Sequence, residues 1–395
     1  MPSGSAVSAQ APRPRPWRDP RWRGLAAQAL LVVVVGGLLF LAFTAARDNM
    51  RARGIPVDFG FWPQPSGFEV SQSLISYSAA SSYGRAFTVG LLNTLLVAAI
   101  GIALASVIGF VIGLMRLSSN WLASRFAGAY VETLRNLPLL LQLLFWYNAV
   151  LKALPGPRQS LQAGPVYLNN RGLFAPEPLA GAGADAALIA LAAGLSLAFV
   201  WVFVARGMQA RTGRRPPVVL VALGLVAAPL LVAALMFGAP LHFQPAQLKG
   251  FNFVGGLRLT PEFVALVIGL STYTASFIAE IVRAGVLAVP KGQREAAEAL
   301  GLSHAQSLRL VIAPQAMRVI IPPLTSQYLN LTKNSSLAVF ISFPDLVQVF
   351  MGTVLNQTGA AVPIVATTMA VYLVISLAVS FAMNAYNRRL ARHGG

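Results

Sequence analysis

The 395-residue chain is 56% hydrophobic and only 11% charged, which excludes an ordinary soluble domain and fits a polytopic membrane protein. A formal net charge of +18 raises nucleic acid as a partner, but the basic residues stand at the ends of apolar runs, which ties them to membrane topology instead. With no cysteine and three scattered histidines, disulfides, thiolate metal sites and a catalytic metal centre drop out.

Taken in order, residues 1–24 are rich in Pro and Arg, lack an apolar period and read as a basic disordered tail. The first span is 25–46. Thr44-Ala45-Ala46 loosely resembles a signal-cleavage site, but the apolar run exceeds the ~7 to 15 residues of a signal core, so a retained anchor is expected. A polar loop, 47–85, carries Phe59, Phe61, Trp62 and Phe68, which suit an interfacial position. Span two, 86–115, repeats Gly101, Ala105, Gly109 and Gly113 every four residues, a smooth stripe for close helix packing. In span three, 128–151, Pro138 frees a backbone carbonyl and Gln142 places an amide inside the apolar run.

Residues 154–184 and 239–260 are expected as extramembrane loops on either side of spans four, 186–205, and five, 217–238, which the basic linker 206–215 joins. Span six is 263–285. Span seven, 315–341, is expected to be interrupted at Pro322-Pro323 and carries Gln327, Asn330, Lys333, Asn334 and Ser335. A loop at 343–363, with room for a short helix, precedes the eighth span, 364–386.

Between spans six and seven lies a stretch of soluble-helix character. Glu295, Ala296, Ala297, Glu298, Ala299 and Leu300 are strong helix formers, and Gly301 stands where a left-handed cap would end them. Ser303 with Gln306 fits a capping box that restarts a second short helix, which Pro314 is expected to limit. With both termini on one side, the tail, the connections after spans two, four and six and the C-terminus hold 20 Lys/Arg against 4 Asp/Glu, and the opposite side holds 9 against 7. The positive-inside rule therefore places that stretch and both termini in the cytoplasm.

Two polar faces run inside the spans. Thr272, Ser276 and Glu280 recur at i, i+4 and i+8, and Gln327, Asn330 and Asn334 at i, i+3 and i+7. Each face has two readings: a solute pathway, or helix-tying contacts such as a Glu280–Arg283 pair one turn apart.

Glu295-Ala296-Ala297, three residues, Gly301, nine residues, then Val311-Ile312-Ala313-Pro314 resembles the EAA loop of bacterial ABC importer permeases, with Val311 and Ala313 departing from the usual Ile-x-Leu-Pro. Gly90-Leu-Leu-Asn-Thr-Leu95, Arg135-Asn-Leu-Pro-Leu-Leu-Leu-Gln142, Phe277-Ile-Ala-Glu-Ile-Val-Arg-Ala-Gly285 and Leu331-Thr-Lys-Asn-Ser-Ser-Leu337 resemble segments of the polar amino acid uptake branch. The resemblance implies an all-α type I importer permease fold in the eight-span form of general L-amino-acid permeases. Core parts would be 86–151 and 263–387, separated by a region, 152–260, that includes the inserted pair of spans four and five; a cytoplasmic tail, 388–395, would close the chain. Helices within 291–310 would couple to an ATPase through Glu295, Ala296, Ala297 and Gly301.

The same resemblance implies an inner-membrane protein working with an ATPase dimer, a second and related permease, a periplasmic solute-binding protein and an amino-acid substrate. The chain has no Gly-x-x-x-x-Gly-Lys-Ser/Thr phosphate loop, so it is not expected to be an enzyme or to bind a cofactor; ATP belongs on another polypeptide. Candidates for the pathway are Asn136, Gln142, Thr272, Ser276, Glu280, Gln327 and Asn330, with helix ends at Pro138 and near Pro322 supplying partial charge. Lys333 and Asn334 suit a gate or a structural pin. The rival readings are an ion-coupled secondary transporter with Glu280 as coupling carboxylate, and a non-transporting scaffold. Nucleic-acid binding by the tail is disfavoured, since its five arginines have no aromatic platform beyond Trp17 and Trp22.

Overall fold

The computed structural model describes residues 20–54, 56–213 and 216–392. Most of the basic tail, the linker arginines at 214 and 215 and the last three residues lie outside them. Among the described residues, six helices are long and apolar enough to cross a membrane. They are α1 (Pro20–Ala52), α2 (Tyr83–Met115), α5 (Ala184–Thr212), α6 (Val218–Phe237), α7 (Pro261–Leu287) and α12 (Ala361–Arg392). Two further expected spans are helical but irregular. The third is split into α3 (Trp121–Asn136) and α4 (Leu139–Leu144), which continues as a π-helix over Phe145–Leu151; the seventh is α10 (Ala313–Asn334), which tightens into a 3₁₀ helix over Ser335–Ile341.

The core is the pairing of α2 with α7, with α10 laid across both. The small-residue stripe makes this possible. A β-carbon at Gly109 would fall 2.6 Å from Ile278 Cβ, and one at Gly113 would fall 2.8 Å from Val282 Cβ. Larger residues there would push the helices apart, so the stripe serves packing, as small residues do in membrane bundles. Apolar side chains on the outer faces of α1, α5, α6 and α12 are exposed, as lipid-facing residues must be.

Several boundaries differ from the sequence reading. Helix α1 starts inside the expected tail, at Pro20, and α5 runs through Arg206–Thr212, where a linker was expected. Helix propensity and an i−4 carbonyl for every amide favour continuing a helix past the end of its apolar run. Pro314 does not limit the second hinge helix, and Pro322-Pro323 do not interrupt span seven. A π-helical turn, Leu308–Ile312, leads directly into α10, with Pro314 in its first turn, where the missing N–H costs least. Pro322 and Pro323 lie on the exposed face, outside the packed seam. No helix terminus exists near Pro322 to lend partial charge.

The two expected loops around α5 and α6 are built instead from short antiparallel strands. β1 (Leu161–Ala163), β2 (Val166–Asn169), β3 (Gly172–Ala175) and β8 (Leu257–Leu259) form one sheet in that order. β4 (Glu177–Ala180) pairs with β5 (Leu241–Gln244), and β6 (Gln247–Lys249) with β7 (Asn252–Val254). Phe174 and Phe253 stack at 4.8 Å, with Tyr167 also 4.8 Å from Phe253, giving this cap a small core of its own. Residues 343–363 are largely helical, with a π-helix at Val347–Val354 and α11 (Leu355–Thr358). The π-helix seals against Phe61, Trp62, Tyr83 and Phe87, so Phe61 and Trp62, expected at the interface, join a packed cluster with Phe68 at its edge, while Phe59 stays exposed.

Candidate functional site

The hinge between α7 and α10 is folded as its residues dictate. Helix α8 (Lys291–Ala299) ends in a left-handed turn at Gly301, φ +73°, where Gly301 N–H donates to Glu298 O at 2.9 Å and Leu302 N–H to Ala297 O at 3.1 Å. That hydrogen-bond pair satisfies carbonyls left open at the helix end and needs a residue without a β-carbon penalty. Helix α9 (His304–Ser307) opens with a complete capping box: Ser303 N–H donates to Gln306 Oε1 at 2.9 Å, and Gln306 N–H to Ser303 Oγ at 3.4 Å.

Of the coupling candidates, Glu295, Ala296 and Gly301 are exposed, while Ala297 is buried where α8 meets the π-helical turn. Gln315 Nε2 donates to Gln293 Oε1 at 3.0 Å, tying α8 to α10. Leu300 projects outward at 80% exposure, an apolar knob at the bend. Beneath α8 a cavity of about 480 Å³ is floored by Leu117, Val286 and Ile312 and rimmed by Arg294, Glu295 and Glu298. The hinge thus presents an exposed helix face on a braced base.

At the same end of the bundle, the Glu280 carboxylate accepts from Arg283 at 2.6 Å and from Arg116, the cap residue of α2. This ion cluster links α2 to α7. Thr272 and Ser276 donate to their own helix, to Ile268 O at 2.7 Å and Tyr273 O at 2.6 Å, and Ser276 is fully buried. Tyr130 donates to Thr272 O at 2.8 Å, and Arg135 lies 5.1 Å from the centre of the Phe277 ring, so α3 is laced to α7 along the same face.

Gln142 and Pro138 act together. Pro138 has no N–H for Leu134 O, and the Gln142 Nε2 group donates to that carbonyl at 2.9 Å and to Leu137 O at 3.0 Å. The side chain closes the break in span three, while its Oε1 is buried without a partner. Asn136, at the end of α3, is exposed beside the break. On α10, Gln327 and Asn334 are half-buried, and Asn330 and Lys333 are exposed. No hydrogen bond among the described residues joins this face to Thr272, Ser276 or Glu280, so the candidates fall into separate groups along α7, α4 and α10.

Asp345 was absent from the sequence reading. It is fully buried where the connection after α10 meets the start of α2, outside the spans. Its Oδ1 accepts from Gln348 N–H at 2.8 Å, and its Oδ2 accepts from Tyr372 Oη at 3.4 Å. Burial pushes the carboxyl up to about 7. The neighbouring chain is held by the Gly90-to-Leu95 segment. Leu346 N–H donates to Thr94 Oγ1 at 3.0 Å, Asn93 Nδ2 donates to Pro344 O at 2.9 Å, and a β-carbon at Gly90 would sit 3.0 Å from Leu346 Cα. An Asp three residues before an amide in a helical run is an N-cap pattern, and that signal was legible at Asp345-Leu-Val-Gln348.

Residues 102–392 match the family described as binding-protein-dependent transport system inner membrane component. The permease protein YhdX of Escherichia coli is 50% identical over 94% of this chain and 95% of its own length. The general L-amino acid transport system permease protein AapQ of Rhizobium johnstonii is 47% identical, covering 94% of this chain and 93% of its own. The glutamate/glutamine/aspartate/asparagine transport system permease protein BztB of Rhodobacter capsulatus is 40% identical over 94% of each chain. An exposed hinge on a braced helical bundle, a family match over most of the length and relatives alike from end to end lead to one conclusion: the chain belongs to the family of binding-protein-dependent transport system inner membrane components and is a membrane permease of an ABC transporter.

Proposed function

We propose that this permease carries L-amino acids inward, as one half of a pathway completed by a second, related permease chain. A solute-binding protein delivers the amino acid on the side of the β-cap, and an ATPase dimer docks on the opposite end at α8, Gly301 and α9. Both termini then lie in the cytoplasm, on the side where basic residues predominate. The observation that carries the reading is the exposed hinge, whose Glu295, Ala296 and Gly301 are free to meet a partner while Ala297 anchors the helix to the bundle. The substrate class is supported by relatives named for general L-amino acid transport and for glutamate, glutamine, aspartate and asparagine transport.

In this mechanism ATP binds and is hydrolysed on the partner, and closure of the ATPase dimer pushes α8 and α9 as a rigid pair. The push passes into α7, which ends at the hinge, and into α10, which starts from it, an antiparallel pair packed together in the bundle. Glu280, between Arg116 and Arg283, keeps α2 and α7 together during that motion. Asn136, Gln327 and Asn330 are the pathway candidates whose side chains are exposed or half-buried and donate to no other group among the described residues.

The test is reconstitution with the ATPase, the second permease and the binding protein in proteoliposomes. ATP-dependent uptake of labelled L-amino acids that survives an ionophore supports the reading. Uptake by this chain alone that an ionophore abolishes would replace it with ion-coupled transport.

A further inference from the structure

We propose that Lys333 binds the carboxylate of the amino acid as it crosses the membrane, an inference that rests on the amino-acid permease reading above. Depth comes first. A β-carbon at Gly101 would lie 3.1 Å from Leu331 Cδ2, and Gly101 is close to the midpoint of the 33-residue α2. One helical turn earlier on α10, Tyr328 and Ser106 share a hydroxyl hydrogen bond of 2.8 Å, which fixes the register of the two helices. Lys333 therefore sits near mid-depth of a hydrocarbon layer ~30 Å thick, beyond the reach of a four-carbon stem snorkelling to either surface.

Its charge has no counterion within ion-pair distance among the described residues. Among the described residues the ion pairs join Glu280 to Arg116 and Arg283, and Lys333 makes none. Asp345, in the connection that follows, is sealed from solvent and accepts from Gln348 and Tyr372. A cation at that depth is costly unless a partner of opposite charge meets it. A resident carboxylate would satisfy it permanently; a transported one satisfies it only while bound, which is what a site that must also release requires.

The surroundings suit an amino acid. Lys333 lines an open groove of about 360 Å³ between α10, the π-helix at 347–354 and α12. Ser336 and Thr368 line it and already donate their hydroxyl protons, to Lys333 O at 2.7 Å and Ile364 O at 2.8 Å. Each hydroxyl keeps lone pairs that can accept, the complement of an ammonium group. Met351 and Met369 supply adaptable apolar wall, which tolerates side chains of differing shape. Asn330, exposed one turn before Lys333, extends the polar face toward the hinge.

The experiment compares the wild-type complex with K333M and K333R, reconstituted with all partners, using labelled L-glutamate, L-glutamine and L-arginine. K333M removes an unpaired charge from the membrane, so insertion should not suffer, and copurification of the second permease and the ATPase checks assembly. The expected result is a loss of about tenfold to hundredfold in uptake of all three amino acids, with K333R retaining more than K333M. Unchanged uptake by K333M overturns the inference and leaves the permease reading intact. A loss confined to L-glutamate also overturns it, since Lys333 would then read the side chain. Failure of the partners to copurify with K333M overturns it in favour of an interface pin. If the wild-type complex takes up none of the three, the amino-acid reading fails and the inference goes with it.

Discussion

Replacing Gly301 by alanine isolates what the bend contributes to coupling. At φ +73° an L-residue pays roughly 1–2 kcal/mol for its β-carbon. No atom lies within 4 Å of where that β-carbon would sit, so no steric clash adds to this figure. The cost falls on the turn alone, whose two closing hydrogen bonds, at 2.9 and 3.1 Å, need the left-handed residue. A penalty of ~1–2 kcal/mol corresponds to a factor of about 5 to 30 in the population of the intact bend. The bundle keeps its α2–α7 core, so assembly should be normal. In proteoliposomes holding the whole complex, Gly301→Ala should lower the amino acid moved per ATP hydrolysed. Gly301→Asn, which tolerates the left-handed region, should recover most of it. Equal coupling in wild type and the alanine variant would refute the argument; so would an asparagine variant as impaired as alanine, which would point to contact with the side chain instead of backbone geometry.

Three further outcomes follow from the packing. Gln142→Leu strips the donor from Leu134 O and Leu137 O and should cost about 1–3 kcal/mol, read as a lower thermal midpoint in detergent; an unchanged midpoint would mean the break in span three is held by other contacts. Gly109→Val places a β-carbon 2.6 Å from Ile278 Cβ and should destabilise by about 1–3 kcal/mol, whereas Gly128→Ala, with open space around it, should not. For Asp345, burial raises the carboxyl from 3.8 to about 7, so its protonated form favours the folded state. That contribution is complete below pH 3.8 and is lost as pH rises through about 7. Asp345→Asn stays neutral, so it should remove this dependence and be the more stable protein at pH 8, by at most about 4 kcal/mol. Parallel stability curves for the two proteins between pH 5 and 8 would count against a buried, protonated Asp345.

Much of this architecture was legible in the residue order, because the signals are local. The apolar runs of α2, α5, α6, α7 and α12 announce themselves by length, and the glycine stripe of α2 by its spacing. Gly301 and the Ser303–Gln306 box were equally readable, since each acts on backbone groups within five residues of itself. The chain by itself therefore determined that it is a helical membrane protein and where its hinge bends.

Only the tertiary structure decided what the polar side chains meet. Thr272, Ser276 and Glu280 share a face by periodicity, yet two of them are spent on their own helix and the third on Arg116, 164 positions away in sequence. The strands around α5 and α6 form because segments such as β3 and β8, far apart along the chain, find each other; three- and four-residue strands carry no usable period. Asp345 gains its character from a seal made by α2 and α12, and Lys333 from the absence of one. Periodicity reports which residues share a face. Solvation and charge depend on what that face meets, and that is settled by contacts between residues distant in sequence.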